Sequence, residues 1–381
     1  MKKKFRLIGV IALLAVIGFS IMACGGGNTD DWSDIVYDES VTRLAPYTDI
    51  RGKAWVINSR PVGYRESQYN PDDIITFTFN EKTVLIGSKD IQKRVMENGK
   101  NPGLGVRSLH SQGITGKGVN VAIIDQNLAL THPEYAKKIA AYNDVGTNQA
   151  QNSGSMHGPA VASLLVGDQC GTAPGARLYY AAAPSWTGDS AYQAAALRWV
   201  ISENEKLPKG KKIRVVSVSA APSGPGTPFT KNTEQWDKAV AEAQAAGILV
   251  LDCRQNDKTG LIARAYYDLN NPDDITLIKP GSPSSGPGTN NKGCIYTPSS
   301  RRSVAEEYFA GAPSWTYWGI GGRSWTIPYA AGVLAMGWQV NPNLGNDEIV
   351  DLLFKTAYVN AGGFQFINPP AFIEAVKATV K

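Results

Sequence analysis

The chain has 381 residues, 43% of them apolar and 19% charged, enough to bury one large core or two smaller ones. Its formal charge of +5 is concentrated at the start, where Lys2, Lys3, Lys4 and Arg6 carry four positive charges and leave about +1 downstream. No basic stripe remains of the kind nucleic acid demands, so nucleic acid is excluded as a partner.

The first segment reads as an export signal: a basic start, an apolar run over residues 7–22, then small residues. That run is short for a spanning helix, which needs about 20 apolar residues. It ends in Ile21-Met22-Ala23-Cys24-Gly25-Gly26, which resembles a bacterial lipobox, in which the cysteine is lipidated and becomes the new N-terminus. Residues 1–23 are then a lipoprotein signal peptide, Cys24 the lipidation site, and residues 25–30 a flexible tether to a bacterial membrane. An ordinary cleaved signal would instead make the protein secreted. The other cysteines, Cys170, Cys253 and Cys294, have no metal-ligand spacing. Their odd number in an exported chain leaves at least one thiol without a partner in the chain, and they are expected in the core.

Residues 24–101 are set apart as tether and N-terminal extension. Beyond Asp31 this stretch is polar with scattered aromatics and one strand-like run over residues 74–79. A removable prosegment, a stalk and an extension packed on the main domain all fit that pattern.

From about Leu104 strands alternate with helices. Residues 119–124, Val-Asn-Val-Ala-Ile-Ile, are nearly continuously apolar, as expected of a strand buried on both faces. Residues 178–183, 213–218 and 248–253 repeat that pattern. Helical stretches lie at 160–166, 191–207 and 233–246, the last closed by Gly247 as a C-terminal cap. Further helices are expected at 324–340, 347–358 and 370–380. The alternation predicts an α/β domain over residues 102–381, with a mainly parallel central sheet flanked by helices. Sites in such sheets lie beyond the carboxyl ends of the strands.

Asp125 follows the first of these strands and so sits at that edge. A carboxylate there can accept from an imidazole N–H, fixing its tautomer and stabilising its charged form, although aspartates are also common in turns. His110, His132 and His157 are the three histidines, and therefore the three candidates for a histidine base. His110 lies before the first sheet strand and His132 precedes Pro133 in a loop. His157 is followed by Gly158-Pro159 and an apolar run, which places it at a helix start. Gly321-Gly322-Arg323-Ser324 leads into another helical apolar run, placing Ser324 at a tight turn entering a helix. Free N–H groups and a partial positive charge face whatever its hydroxyl attacks. On that stretch alone, capping of the helix is the simpler role for Ser324.

Together these blocks resemble the subtilisin-like serine proteases, the subtilase family. Asp125 with His132-Pro133 resembles their aspartate block, Ser155-Met156-His157-Gly158-Pro159-Ala160 their histidine block, and Gly322-Arg323-Ser324-Trp325-Thr326-Ile327-Pro328 their serine block. The order Asp, His, Ser is the subtilisin order. Residues 103–118 resemble the lead-in of the catalytic domain, so the likeness covers about residues 100–381. In Gly247 to Asn256, the asparagine stands at the offset of the family's oxyanion donor. Residues 215–219 resemble the strand lining the substrate groove, which implies Ser219, Ala220 and Ala221 as substrate-binding residues. The resemblance implies a three-layer subtilisin-like fold and a monomeric serine endopeptidase acting on polypeptides. Its implied triad is Asp125, His157 and Ser324, with Asn256 as oxyanion donor and no cofactor. Calcium often stabilises relatives, but no acidic loop identifies a site here.

The flanks depart from the family. Arg323, Trp325 and Thr326 stand where it has threonine before the serine and methionine-alanine after. Pro159-Ala160 replaces threonine-histidine, Cys253-Arg254-Gln255 replaces small residues, and Ala220-Ala221-Pro222 stands where leucine-glycine-glycine is usual. These changes alter groove and first-pocket walls, so the family's preference for large apolar side chains does not carry over. Trp315, Trp318 and Trp325 are candidates for subsite walls, though aromatics near a glycine turn are more often core. The rival expectation is a non-catalytic lipoprotein that binds peptides or a partner in a remodelled groove.

Overall fold

The apolar runs of the sequence become neighbouring strands of one parallel sheet. Five strands lie in the order Ile139–Asp144, Arg177–Ala182, Asn120–Asp125, Ile213–Val218, Leu249–Asp252. Four of them are the expected runs. The fifth, Ile139–Asp144, is an edge strand whose residues are only half-buried, so its sequence carries no continuous apolar run.

Successive side chains on a strand face opposite ways, and here both faces are covered. Val121 and Ile123 pack with Leu178 and Val215 beneath the helices His157–Val166 and Thr326–Val340. Ala122 and Ile124 pack with Val216 and Val250 beneath Ser190–Lys206 and Thr233–Ala245. The result is the expected three-layer α/β arrangement. Gly247 closes the last of these helices at φ +75°, a left-handed position that glycine adopts without strain.

The structure is a computed structural model that describes residues 35–51, 60–148, 155–254, 261–308 and 312–380. The signal segment, the lipidation candidate Cys24 and the oxyanion candidate Asn256 lie outside the described residues. No described helix is long and apolar enough to cross a membrane.

Several boundaries differ from expectation. Residues Pro71–Thr76 form a 3-10 helix, started by Pro71 and capped by Asn70, so only Thr78 and Phe79 of the strand-like run are strand, in Thr78–Asn80. The helix expected over 347–358 is Asn346–Lys355, because Tyr358–Val359 pairs antiparallel with Gln365–Phe366. Ser324 lies in a separate 3-10 turn, Arg323–Trp325, before the helix Thr326–Val340. Residues 35–381 form one compact unit, so the described part of the extension is packed with the α/β layers.

Candidate active site

Asp125 ends the middle strand, paired with Ala182 at the sheet's carboxyl edge. Its side chain is 4% exposed, and Oδ1 accepts from the Gln126 N–H at 2.8 Å and from His157 Nδ1 at 2.7 Å. His157 is the first residue of the helix His157–Val166. The helix start can come this close because residue 158 is glycine. A Cβ there would lie 2.4 Å from the Asn127 carbonyl and 2.7 Å from the Tyr180 hydroxyl. Ser155 ties the same corner, accepting from the Gly158 N–H at 2.9 Å and donating to the Asn127 carbonyl at 3.2 Å.

The bond to Asp125 makes Nδ1 the protonated nitrogen of the neutral ring and leaves Nε2 as the basic one. Burial lowers the His157 pKa, but the charge of Asp125 and its hydrogen bond more than reverse this and hold it above the ordinary value. The other two histidines are structural. His110 Nε2 donates to the Thr172 carbonyl at 2.8 Å, and His132 Nε2 donates to the Ser314 carbonyl at 3.0 Å. Burial holds both below the ordinary histidine pKa.

Ser324 is half-buried and caps no helix. Its Oγ donates to the Ser219 carbonyl at 3.2 Å, while Ser219 Oγ donates to the Ser324 carbonyl at 2.8 Å. Among the described residues no hydrogen bond joins Ser324 to His157. Trp325, the next residue after Ser324, does reach His157, its ring 5.2 Å from the imidazole, centroid to centroid. The glycines before Ser324 have different tasks. A Cβ on Gly321 would lie 1.8 Å from the Ser299 carbonyl, whereas on Gly322 the nearest atom would be 3.8 Å away. Neither has a positive φ, so close approach and not turn geometry demands glycine, and only at 321.

A cavity of about 240 Å³ opens beside His157, lined among others by Asp125, Ser219, Ala220, Ala221 and Phe229. The groove residues expected from the sequence are thus beside the imidazole. Among the described residues no tryptophan lines this cavity, and Trp325 is instead buried at 3% exposure. Arg323 reaches past the site to donate through Nη1 to the Cys253 carbonyl at 3.0 Å. No disulfide joins Cys170, Cys253 and Cys294. Burial raises the thiol pKa of all three, which disfavours their thiolate forms. Among the described residues no group of three or more His, Cys, Asp or Glu is arranged to hold a metal ion. Sequence reasoning missed the reciprocal Ser219–Ser324 contact and the placement of Trp325 against His157; neither leaves a signal in residue spacing.

The family model of the subtilase family (Peptidase_S8) matches residues 116–369. Subtilisin E of Bacillus subtilis (strain 168) is 28% identical over 271 residues, covering 68% of this chain and 65% of its own length. The chain therefore spans just under two thirds of that relative. Subtilisin J of Geobacillus stearothermophilus is 24% identical over 382 residues, covering 94% of this chain and 93% of its own. Among solved structures, one from work on the assembly of subtilase cytotoxin SubAB matches with a TM-score of 0.57 at 14% identity. It covers 73% of this chain and 95% of that one, a likeness of fold alone.

Proposed function

The chain belongs to the subtilase family, and from that premise we propose that it is an extracytoplasmic serine endopeptidase with Asp125, His157 and Ser324 as its triad. The observation that carries this reading is the 2.7 Å bond from His157 Nδ1 to Asp125, made at a helix start beside the Ser324 turn. In the reaction, Ser324 Oγ leaves the Ser219 carbonyl, gives its proton to His157 Nε2 and attacks the peptide carbonyl carbon. The imidazolium, stabilised by Asp125, then passes that proton to the leaving amine, and water hydrolyses the acyl-enzyme by the same route. Asn256 is assigned as the side-chain donor to the oxyanion, on its sequence offset. Such a donor contributes about a hundredfold or more in rate. Ser219, Ala220 and Ala221 line the groove for the polypeptide substrate, and residues 102–381 are the peptidase domain.

Cys24 is assigned as a lipid anchor on the strength of the preceding export signal. Metabolic labelling with an alkynyl fatty acid, lost in Cys24→Ser, is the expected result. A soluble, unlabelled mature chain would make the protein secreted.

The activity is tested by a fluorophosphonate probe on the mature chain, with peptide mapping. Labelling at Ser324 is expected, and it should vanish on heat denaturation and in Ser324→Ala. The second reading, a binding module without catalysis, is favoured by one observation: Ser324 Oγ is engaged by Ser219 and not by His157. Resting active sites often tighten only on binding substrate, so the first reading stands. A folded chain that never labels would favour the second.

A further inference from the structure

The extension ahead of the catalytic layers supplies part of their framework. Thr78–Asn80 pairs antiparallel with Ala312–Trp318, the strand leading to Ser324, so that Thr78 opposes Trp318. Ile74, Phe77 and Phe79 are fully buried in one cluster with Tyr267 and Tyr317. The Tyr317 hydroxyl donates to the Ile75 carbonyl at 2.8 Å, and the Gly319 N–H to that of Phe77 at 3.0 Å.

Arg51 carries this framework toward the site. Its guanidinium donates to both oxygens of Asp49, at 2.9 and 2.7 Å, and through Nη1 to Glu306 at 2.9 Å. It lies over Trp318, 4.4 Å from the ring centroid. Trp318 meets Trp325 edge-on at 5.8 Å, and Trp325 lies 5.2 Å from the His157 ring. Neither indole N–H has an acceptor among the described residues. Ring packing alone therefore orients the two tryptophans, and a guanidinium clamped between two carboxylates is the fixed end of the series. A planar cation on an indole face is a favourable contact, stronger when removed from water.

We propose that Arg51 is a positioning residue of the active site. Held by Asp49 and Glu306, it fixes Trp318 and, through Trp318 and Trp325, the orientation of the His157 ring. The extension then helps to orient the active site for as long as it stays attached. The relevance to catalysis rests on the peptidase reading above, whereas the effect on the His157 ring does not.

The test uses the full mature chain with 13C-labelled histidine. Three imidazoles give three sets of ring signals, and His157→Gln assigns the one of interest. Arg51→Lys keeps the charge for Asp49 and Glu306 but loses the planar stack. With thermal melts showing a folded chain, the His157 signals should shift while those of His110 stay in place. Fluorophosphonate labelling at Ser324 should slow about tenfold. Trp318→Phe, which shortens the same contact, should act likewise, and it carries the test if Arg51→Lys does not fold. His157 signals unchanged in the folded variants would overturn the proposal. Shifted signals in a protein whose wild type never labels would uphold the positioning role and remove the peptidase reading.

Discussion

Ser219 and Ser324 exchange hydroxyls: each side chain donates to the other's backbone carbonyl, at 2.8 Å from Ser219 and 3.2 Å from Ser324. The end of a central strand and the turn carrying Ser324 are thereby joined across 105 residues of chain. Ser219→Ala removes only the bond that pins the Ser324 backbone, since its own carbonyl remains as acceptor. Loss of one such bond costs about 1 kcal/mol, and labelling at Ser324 should slow several-fold as the turn loosens. Faster labelling would instead mean that the contact restrains the nucleophile.

His157 should set the pH response. Burial lowers its pKa and Asp125 more than reverses this, and only the neutral ring can accept the serine proton. Labelling should therefore rise with pH through a midpoint above the ordinary histidine value of about 6.5. Asp125→Asn leaves burial without its counterweight, so the midpoint should fall while the rate drops by about 10⁴. The pair also has a stability sign. The folded state favours protonated His157, so this contribution is full below about pH 6.5 and lost as pH rises through the folded pKa. Urea unfolding of Asp125→Asn should lack that dependence. An unchanged labelling midpoint in Asp125→Asn would assign the titration to another group.

The paired glycines before Ser324 should respond unequally to alanine. At residue 321 a Cβ would sit 1.8 Å from the Ser299 carbonyl, a backbone atom that cannot swing aside, while at residue 322 it would meet nothing closer than 3.8 Å. Gly321→Ala should destabilise by about 1–3 kcal/mol and suppress labelling. Gly322→Ala should melt within a few degrees of wild type. Equal melting temperatures for the two would refute the close-approach argument.

What was legible in the sequence follows the range of the interactions involved. Residues 213–218 read as a strand because apolar neighbours on both faces leave a continuous run. Ile139–Asp144 did not, because half its environment is solvent. The helix start at His157 was legible because it writes itself into the next few residues; Ser324, in a turn just ahead of its helix, was singled out only by the resemblance of the blocks taken together. The Arg51 stack on Trp318 and the Ser219–Ser324 exchange were not, because each joins segments far apart in the chain with no local pattern. The fate of the 74–79 run was half-legible: Pro71 starts a 3-10 turn that takes its first residues, and pairing with Ala312–Trp318 takes the rest.

Glu306 offers a separate test of how tightly the extension is bound. Its side chain is 2% exposed; Oε1 accepts from Arg51, while Oε2 is buried without a partner among the described residues. Burial pushes its pKa up to about 7 from 4.5, although Arg51 pulls the other way. The folded state thus resists ionisation of this carboxyl. A raised pKa contributes stability that is full below the unfolded value and lost as pH climbs to the folded one. Relative to Glu306→Gln, which keeps an acceptor for Arg51, wild type should lose on the order of 3 kcal/mol between about pH 4.5 and 7. Chemical denaturation of both proteins across that window measures the difference. A constant gap would mean that Glu306 ionises as freely folded as unfolded, with Arg51 fully offsetting its burial.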